Sequence, residues 1–188
     1  MQKVIFRNPT ILTLKPETME AKKKQLEERL GFSGSEVAKI ICKAPNIVAL
    51  DFSSTVEPKL VWLEQTFQLD QAELGKVIWK APALLNTAVD CTLEPTREWL
   101  QQRLKLDFYT LRKIVISSPT ILALSHERLE QNIQRLEEEL QIDDLSDLGL
   151  ILAYKPQLLS YSVPKNLQPT LIFFEKCIVL SSQLFCFR

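Results

Sequence analysis

Five short phrases decide the reading of this chain: PTILTL (9–14), PNIVAL (45–50), PALLNT (82–87), PTILAL (119–124) and PQLLSY (156–161). Each opens on a proline, and Pro9, Pro45, Pro82, Pro119 and Pro156 stand 36, 37, 37 and 37 residues apart. Ten prolines scattered over 188 residues would rarely fall into such a ladder, so the chain reads as a tandem array. A second proline follows 13 residues later at Pro58, Pro95 and Pro169, with Asn132 in that place in one unit.

Upstream of each stop proline the apolar pattern is equally regular. Val37, Ile40 and Ile41 recur as Leu74, Val77 and Ile78, as Leu111, Ile114 and Val115, and as Leu148, Ile151 and Leu152. Positions i, i+3 and i+4 share one face of an α-helix, so each set predicts one buried stripe. Ile41, Ile78, Val115 and Leu152 are expected to be buried at equivalent places. Ser33 with Glu36 and Asp70 with Glu73 have capping-box spacing at the helix starts. Each helix should run about eleven residues and end where the residue before proline is pushed out of helical geometry.

The other half of the unit is helical too. EPKLVWLEQTF (57–67) and EPTREWLQQRL (94–104) place proline in a first turn, where its missing N–H costs nothing. Leu60, Leu63 and Phe67 share one face, as do Trp99, Leu100 and Leu104. After each stop proline the apolar phrase fits one tight turn. Neither helix can bury its apolar face within one unit, whereas stacked units make a continuous core. The expected fold is therefore all-α: an α-solenoid of ~37-residue repeats, each of two helices and a short turn. Residues 1–188 are expected to form one repeat domain, incomplete at both ends, as in a fragment or a truncated gene product.

Composition narrows the function. Lysine and arginine number 23, as do aspartate and glutamate, so the formal net charge is zero. That excludes a polybasic arm and an acidic tail. Four glycines argue against glycine-rich phosphate loops. His126 is the single histidine and is expected on the surface. Cys42, Cys91, Cys177 and Cys186 show no CxxC spacing and are expected to be reduced, partly buried thiols. No apolar run approaches the length of a membrane span. With no nucleophile–base pair, metal cluster or phosphate loop visible, no enzyme, metal, cofactor or small-molecule substrate is implied.

The phrases GKVIWKAPALL (75–85) and AKIICKAPNIV (38–48) resemble the signature of the mTERF family, the mitochondrial transcription termination factors of organelles. Leu30-Gly31-Phe32-Ser33 matches the family's phrase between helices. Leu69-Asp70 and Leu106-Asp107 depart from it, with no structural penalty expected. The resemblance spans four near-complete units and a partial fifth. It implies a curved solenoid of helical triads, each with a short 3₁₀ turn. It also implies double-stranded DNA or RNA bound in a basic concave groove, and work in mitochondria or plastids, whose transit peptide would lie upstream of this chain.

The residues themselves supply a candidate surface. Six and two positions before the stop prolines stand Lys3 and Arg7, Lys39 and Lys43, Lys76 and Lys80, then Lys113, with Arg112 beside it. At Leu150 and Tyr154 the stripe fades. These i, i+4 pairs point away from the apolar stripe, and stacking would align them into a cationic ladder able to follow a phosphate backbone. Lysines in a last helical turn also complement the helix dipole, a purely structural role. A protein-binding scaffold is the competing function, and zero net charge keeps it open. Trp62, Trp79 and Trp99 read as packing residues. Lys22-Lys23-Lys24, flanked by Glu20, Glu27 and Glu28, reads as a solvated face. The Glu137-Glu138-Glu139 run would repel nucleic acid, so its helix should face elsewhere.

Overall fold

In the computed structural model, residues 15–142 and 145–160 are described, together with 169, 172 and 173. Eight α-helices follow in order: α1 (Pro16–Leu30), α2 (Gly34–Lys43), α3 (Glu57–Phe67), α4 (Gln71–Lys80), α5 (Glu94–Arg103), α6 (Phe108–Ser117), α7 (His126–Leu140) and α8 (Leu145–Tyr154). Tight 3₁₀ turns at Pro45–Ala49, Pro82–Asn86, Pro119–Ala123 and Pro156–Ser160 close the four units. No β-strand occurs among the described residues. Leading helices (α1, α3, α5, α7) and trailing helices (α2, α4, α6, α8) alternate, and the units stack into an α-solenoid.

The trailing helices are ten residues long and end two residues before each stop proline. Ala44, Ala81 and Ser118 have φ of −133°, −134° and −141° with ψ of 75°, 66° and 70°, outside the helical region as a following proline demands. At their starts the caps form. Ser33 N–H donates to Glu36 at 2.9 Å, and Glu73 and Thr110 N–H donate to Asp70 and Asp107 at 2.8 Å.

Val37, Ile40, Leu74, Val77, Ile78, Leu111, Ile114, Val115, Leu148 and Leu152 are buried in one continuous core with Leu60, Leu63, Phe67, Leu100 and Leu104. Ile41 departs from the expected register: it is half-buried, as is Ile151. Both belong to the outermost described units, and a stacked unit buries its flanks only against neighbours.

Two features of the leading helices were not expected. A π-helical turn precedes α3 (Phe52–Val56) and α5 (Val89–Leu93), directly before Pro58 and Pro95. Inside a regular helix, a proline ring strikes the carbonyl four residues back. A wider turn moves that carbonyl away. Where Lys22 and Asn132 replace the proline, α1 and α7 run 15 residues without a break. The wide turn also absorbs one residue. From N-cap to the left-handed residue at the helix end is 17 positions in the π-containing units (Asp51 to Gln68, Ala88 to Lys105) and 16 in the others (Lys15 to Gly31, Ser125 to Gln141).

The second feature overturns an expectation. Gly31 has φ of 67°, and the equivalent residues Gln68, Lys105 and Gln141 adopt φ of 50°, 49° and 51°. The departures from glycine therefore do carry a penalty, since a side chain in the left-handed region costs about 1–2 kcal/mol.

Ion pairs lock the leading helices together. Arg29 bonds Glu57 at 2.9 Å and Glu64 at 2.6 Å, and Arg103 bonds Glu130 at 3.0 Å and Glu137 at 3.1 Å. Their hydrogen bonds hold the Glu130 carboxyl below, and the Arg103 guanidinium above, its ordinary value. The glutamate run thus faces a structural arginine. Nor is the lysine run simply solvated: Lys22 Nζ donates to Val48 O at 2.8 Å, while Lys23 and Lys24 pair with Glu20, Glu27 and Glu28. Lys59 repeats the Lys22 bond one unit on, reaching Leu85 O at 2.6 Å, and burial pushes its ammonium pKa down.

Candidate nucleic-acid interface

Lys39 and Lys43 lie one turn apart on α2, Lys76 and Lys80 one turn apart on α4, and Lys113 on α6, all exposed. Lys39, Lys43, Lys80 and Lys113 reach toward the next trailing helix. Lys43 Nζ donates to Trp79 O at 3.1 Å and stands 4.5 Å from the centre of the Trp79 ring, with Lys39 Nζ 5.9 Å from the same ring. Trp79, Lys76 and Lys80 share a cleft of about 350 Å³ with Phe32 and Gly75. Lys80 Nζ donates to Ile116 O at 2.9 Å and Ser117 O at 3.1 Å, and Lys113 Nζ stands 4.7 Å from the Tyr154 ring centre. The five lysines therefore form one row from α2 to α6, whose last member, Lys113, reaches α8. Lys3 and Arg7 lie outside the described residues.

Two roles coexist in this row. Lys43 and Lys80 bond terminal carbonyls, so they also act as C-caps, though for the following unit's helix rather than their own. Lys76 has no such bond among the described residues. Salt bridges among the described residues engage Lys23, Lys24, Arg29, Arg97, Arg103 and Arg112, and none of the five ladder lysines.

Arg112 does not join the row. Its guanidinium donates to Phe67 O at 3.0 Å and Gln68 O at 3.4 Å and pairs with Glu73 at 2.6 Å. The reason is its place in the repeat. The equivalent residues one unit either side are Gly75 and Gly149, where an added Cβ would lie 3.2 Å from Leu30 O and 3.3 Å from Leu104 O. That position meets the carbonyl end of a neighbouring leading helix. Glycine permits close approach there, and arginine instead caps the end.

Trp79 was missed as an interface residue. Its signal was available, since it lies one residue before Lys80 and three after Lys76. Trp62 and Trp99 are packing residues as expected. Trp62 Nε1 donates to Glu94 at 3.1 Å, and Trp99 stacks on the exposed His126 ring with centroids 5.4 Å apart. Cys42 and Cys91 are free thiols but exposed, not partly buried. Cys177 and Cys186 lie outside the described residues. No grouping of metal-ligating side chains occurs among the described residues, and no helix among them is long and apolar enough to cross a membrane.

A stack of two-helix units closed by proline-initiated 3₁₀ turns, with lysines aligned along its trailing helices, defines a helical-repeat protein built to present an extended basic surface. The mTERF family model matches residues 1–103 and again 98–184. The chain belongs to the mTERF family, whose members are nucleic-acid-binding regulators of organellar gene expression. No curated protein matches it.

Proposed function

We propose that this chain is a non-catalytic nucleic-acid-binding protein that regulates gene expression in a mitochondrion or plastid, with transcription termination as the step its family membership favours. Lys39, Lys43, Lys76, Lys80 and Lys113 contact phosphates, and Lys3 and Arg7 extend the row. One observation carries this reading: Lys39, Lys43, Lys76, Lys80 and Lys113 stand in a row that no salt bridge among the described residues engages, whereas Lys23, Lys24, Arg29, Arg97, Arg103 and Arg112 are each paired with a carboxylate. Phosphate contacts position a strand without reading its sequence, so affinity comes mainly from this row.

The test is Lys76→Glu with Lys80→Glu, measured by fluorescence anisotropy across a salt series. Affinity should fall almost uniformly across sequences, and the slope of log affinity against log salt should flatten by about 0.9 per lost contact on duplex DNA. Lys76→Glu alone should do this with unchanged stability, because the Lys76 side chain makes no hydrogen bond or salt bridge among the described residues, whereas Lys80→Glu also uncaps α6. Unchanged affinity and slope in a folded double variant would reject the reading in favour of a protein-binding scaffold.

A further inference from the structure

The stripe changes character at α8. In the positions held by Lys76 and Lys80 on α4 and by Lys113 on α6, α8 carries Leu150 and Tyr154, 59% and 78% exposed. Tyr109, one turn before Lys113 on the same ridge of α6, is 76% exposed. Large apolar side chains are normally buried, and a cluster on the surface marks a binding site. Lys76 and Lys80 hold the same positions with described units on both sides and are exposed as well. Lys113 joins the two tyrosines, 4.7 Å from the Tyr154 ring centre and one helical turn from Tyr109. The surface thus runs from a cationic row into an aromatic platform with a cation at its middle.

What fits such a surface is a strand with phosphates for the lysines and free ring faces for the tyrosines. In a duplex, each base face is covered by its neighbours in the stack. Unpaired bases stack on aromatic side chains irrespective of sequence. We propose that Tyr109 and Tyr154 stack unpaired bases of a single-stranded nucleic acid whose phosphates run along Lys76, Lys80 and Lys113. Leu150 supplies apolar contact between the rings. This rests on the nucleic-acid reading above and specifies its ligand class.

The experiment compares Tyr109→Ala/Tyr154→Ala and Tyr109→Phe/Tyr154→Phe with the unsubstituted full chain. The probes are a fluorescein-labelled mixed-sequence single strand, its blunt duplex and an abasic strand of equal length. The alanine pair should weaken single-strand binding by roughly 5- to 150-fold per stacked base, and duplex and abasic binding by less than about twofold. The phenylalanine pair should bind the single strand within about threefold of the unsubstituted chain, because a stacking face needs no hydroxyl. A 2-aminopurine in the strand should be quenched by the unsubstituted chain and the phenylalanine pair but not by the alanine pair. The salt slope should stay the same in all three proteins, since no cation is removed. Single-strand affinity retained by a folded alanine pair, or equal losses on all three probes, would overturn the platform and leave the patch to a protein partner. If Lys76→Glu/Lys80→Glu still weakens binding in that case, only this inference fails. If it does not, the nucleic-acid reading fails with it.

Discussion

Replacing Arg112 with alanine separates two roles that one arginine beside a lysine row could play. If the seam contacts define it, the loss is of stability. The 3.0 Å bond to Phe67 O is a charged hydrogen bond to a helix-end carbonyl, a type contributing about 1.5–3 kcal/mol. Gln68 O, at 3.4 Å, adds little. The Arg112 and Glu73 side chains are 28% and 23% exposed, so water discounts their ion pair toward the ~1 kcal/mol of surface pairs. The sum is about 2–4 kcal/mol, or roughly 5–15 °C in melting temperature for a chain of this size. Differential scanning calorimetry on the unsubstituted chain, Arg112→Ala and Arg112→Lys checks it, with lysine falling between because it offers one direction of donation in place of a fork. Nucleic-acid affinity at a temperature where both proteins are folded should be unchanged, salt slope included. A variant that melts normally but binds with a flattened slope would return Arg112 to the interface and refute the seam argument.

Two further outcomes follow from the leading helices. Glu130→Gln should lower the melting temperature at neutral pH, because Arg103 holds the folded-state carboxyl below its ordinary value of 4.5. A depressed carboxylate contributes stability that is present above that value and lost as pH falls through the folded-state one. The difference between variant and parent should therefore shrink on acidification below about pH 4.5, and a gap that does not narrow as the pH falls would deny the pair its role. Gln68→Gly should raise stability by about 1 kcal/mol by relieving the left-handed backbone, read as a higher urea midpoint; an unchanged or lower midpoint would mean the Gln68 side chain compensates for its conformation.

The parts of the fold that were legible in the sequence are those governed by neighbours along the chain. Proline before a turn, the i, i+3, i+4 stripe of Leu74, Val77 and Ile78, and the Asp70–Glu73 cap each act within a few residues. The lysine row was legible for the same reason, since its order depends only on the repeat. Arg112, Lys22 and Lys59 were not, because their carbonyl partners lie 45, 26 and 26 residues away. Those oxygens become neighbours only once helices pack. Ile41 shows the same limit: its local pattern equals that of Ile78, and its burial differs with its place in the stack. The penalty at Gln68 escaped notice because a glycine replaced by glutamine reveals nothing about φ until the helix end is seen.

The wide turns before α3 and α5 have a consequence for how such repeats change length. In α7, which lacks one, Glu130 stands five residues after its N-cap; in α3, Glu57 stands six after Asp51. Both nonetheless meet an arginine of the preceding leading helix. An inserted residue would ordinarily rotate every later side chain of a helix by about 100°, since 3.6 residues complete a turn, and pull the ion pair out of phase. The π-turn takes up that rotation locally. It works as a slack link, through which a unit gains or loses one residue near its proline while the faces further along keep their partners.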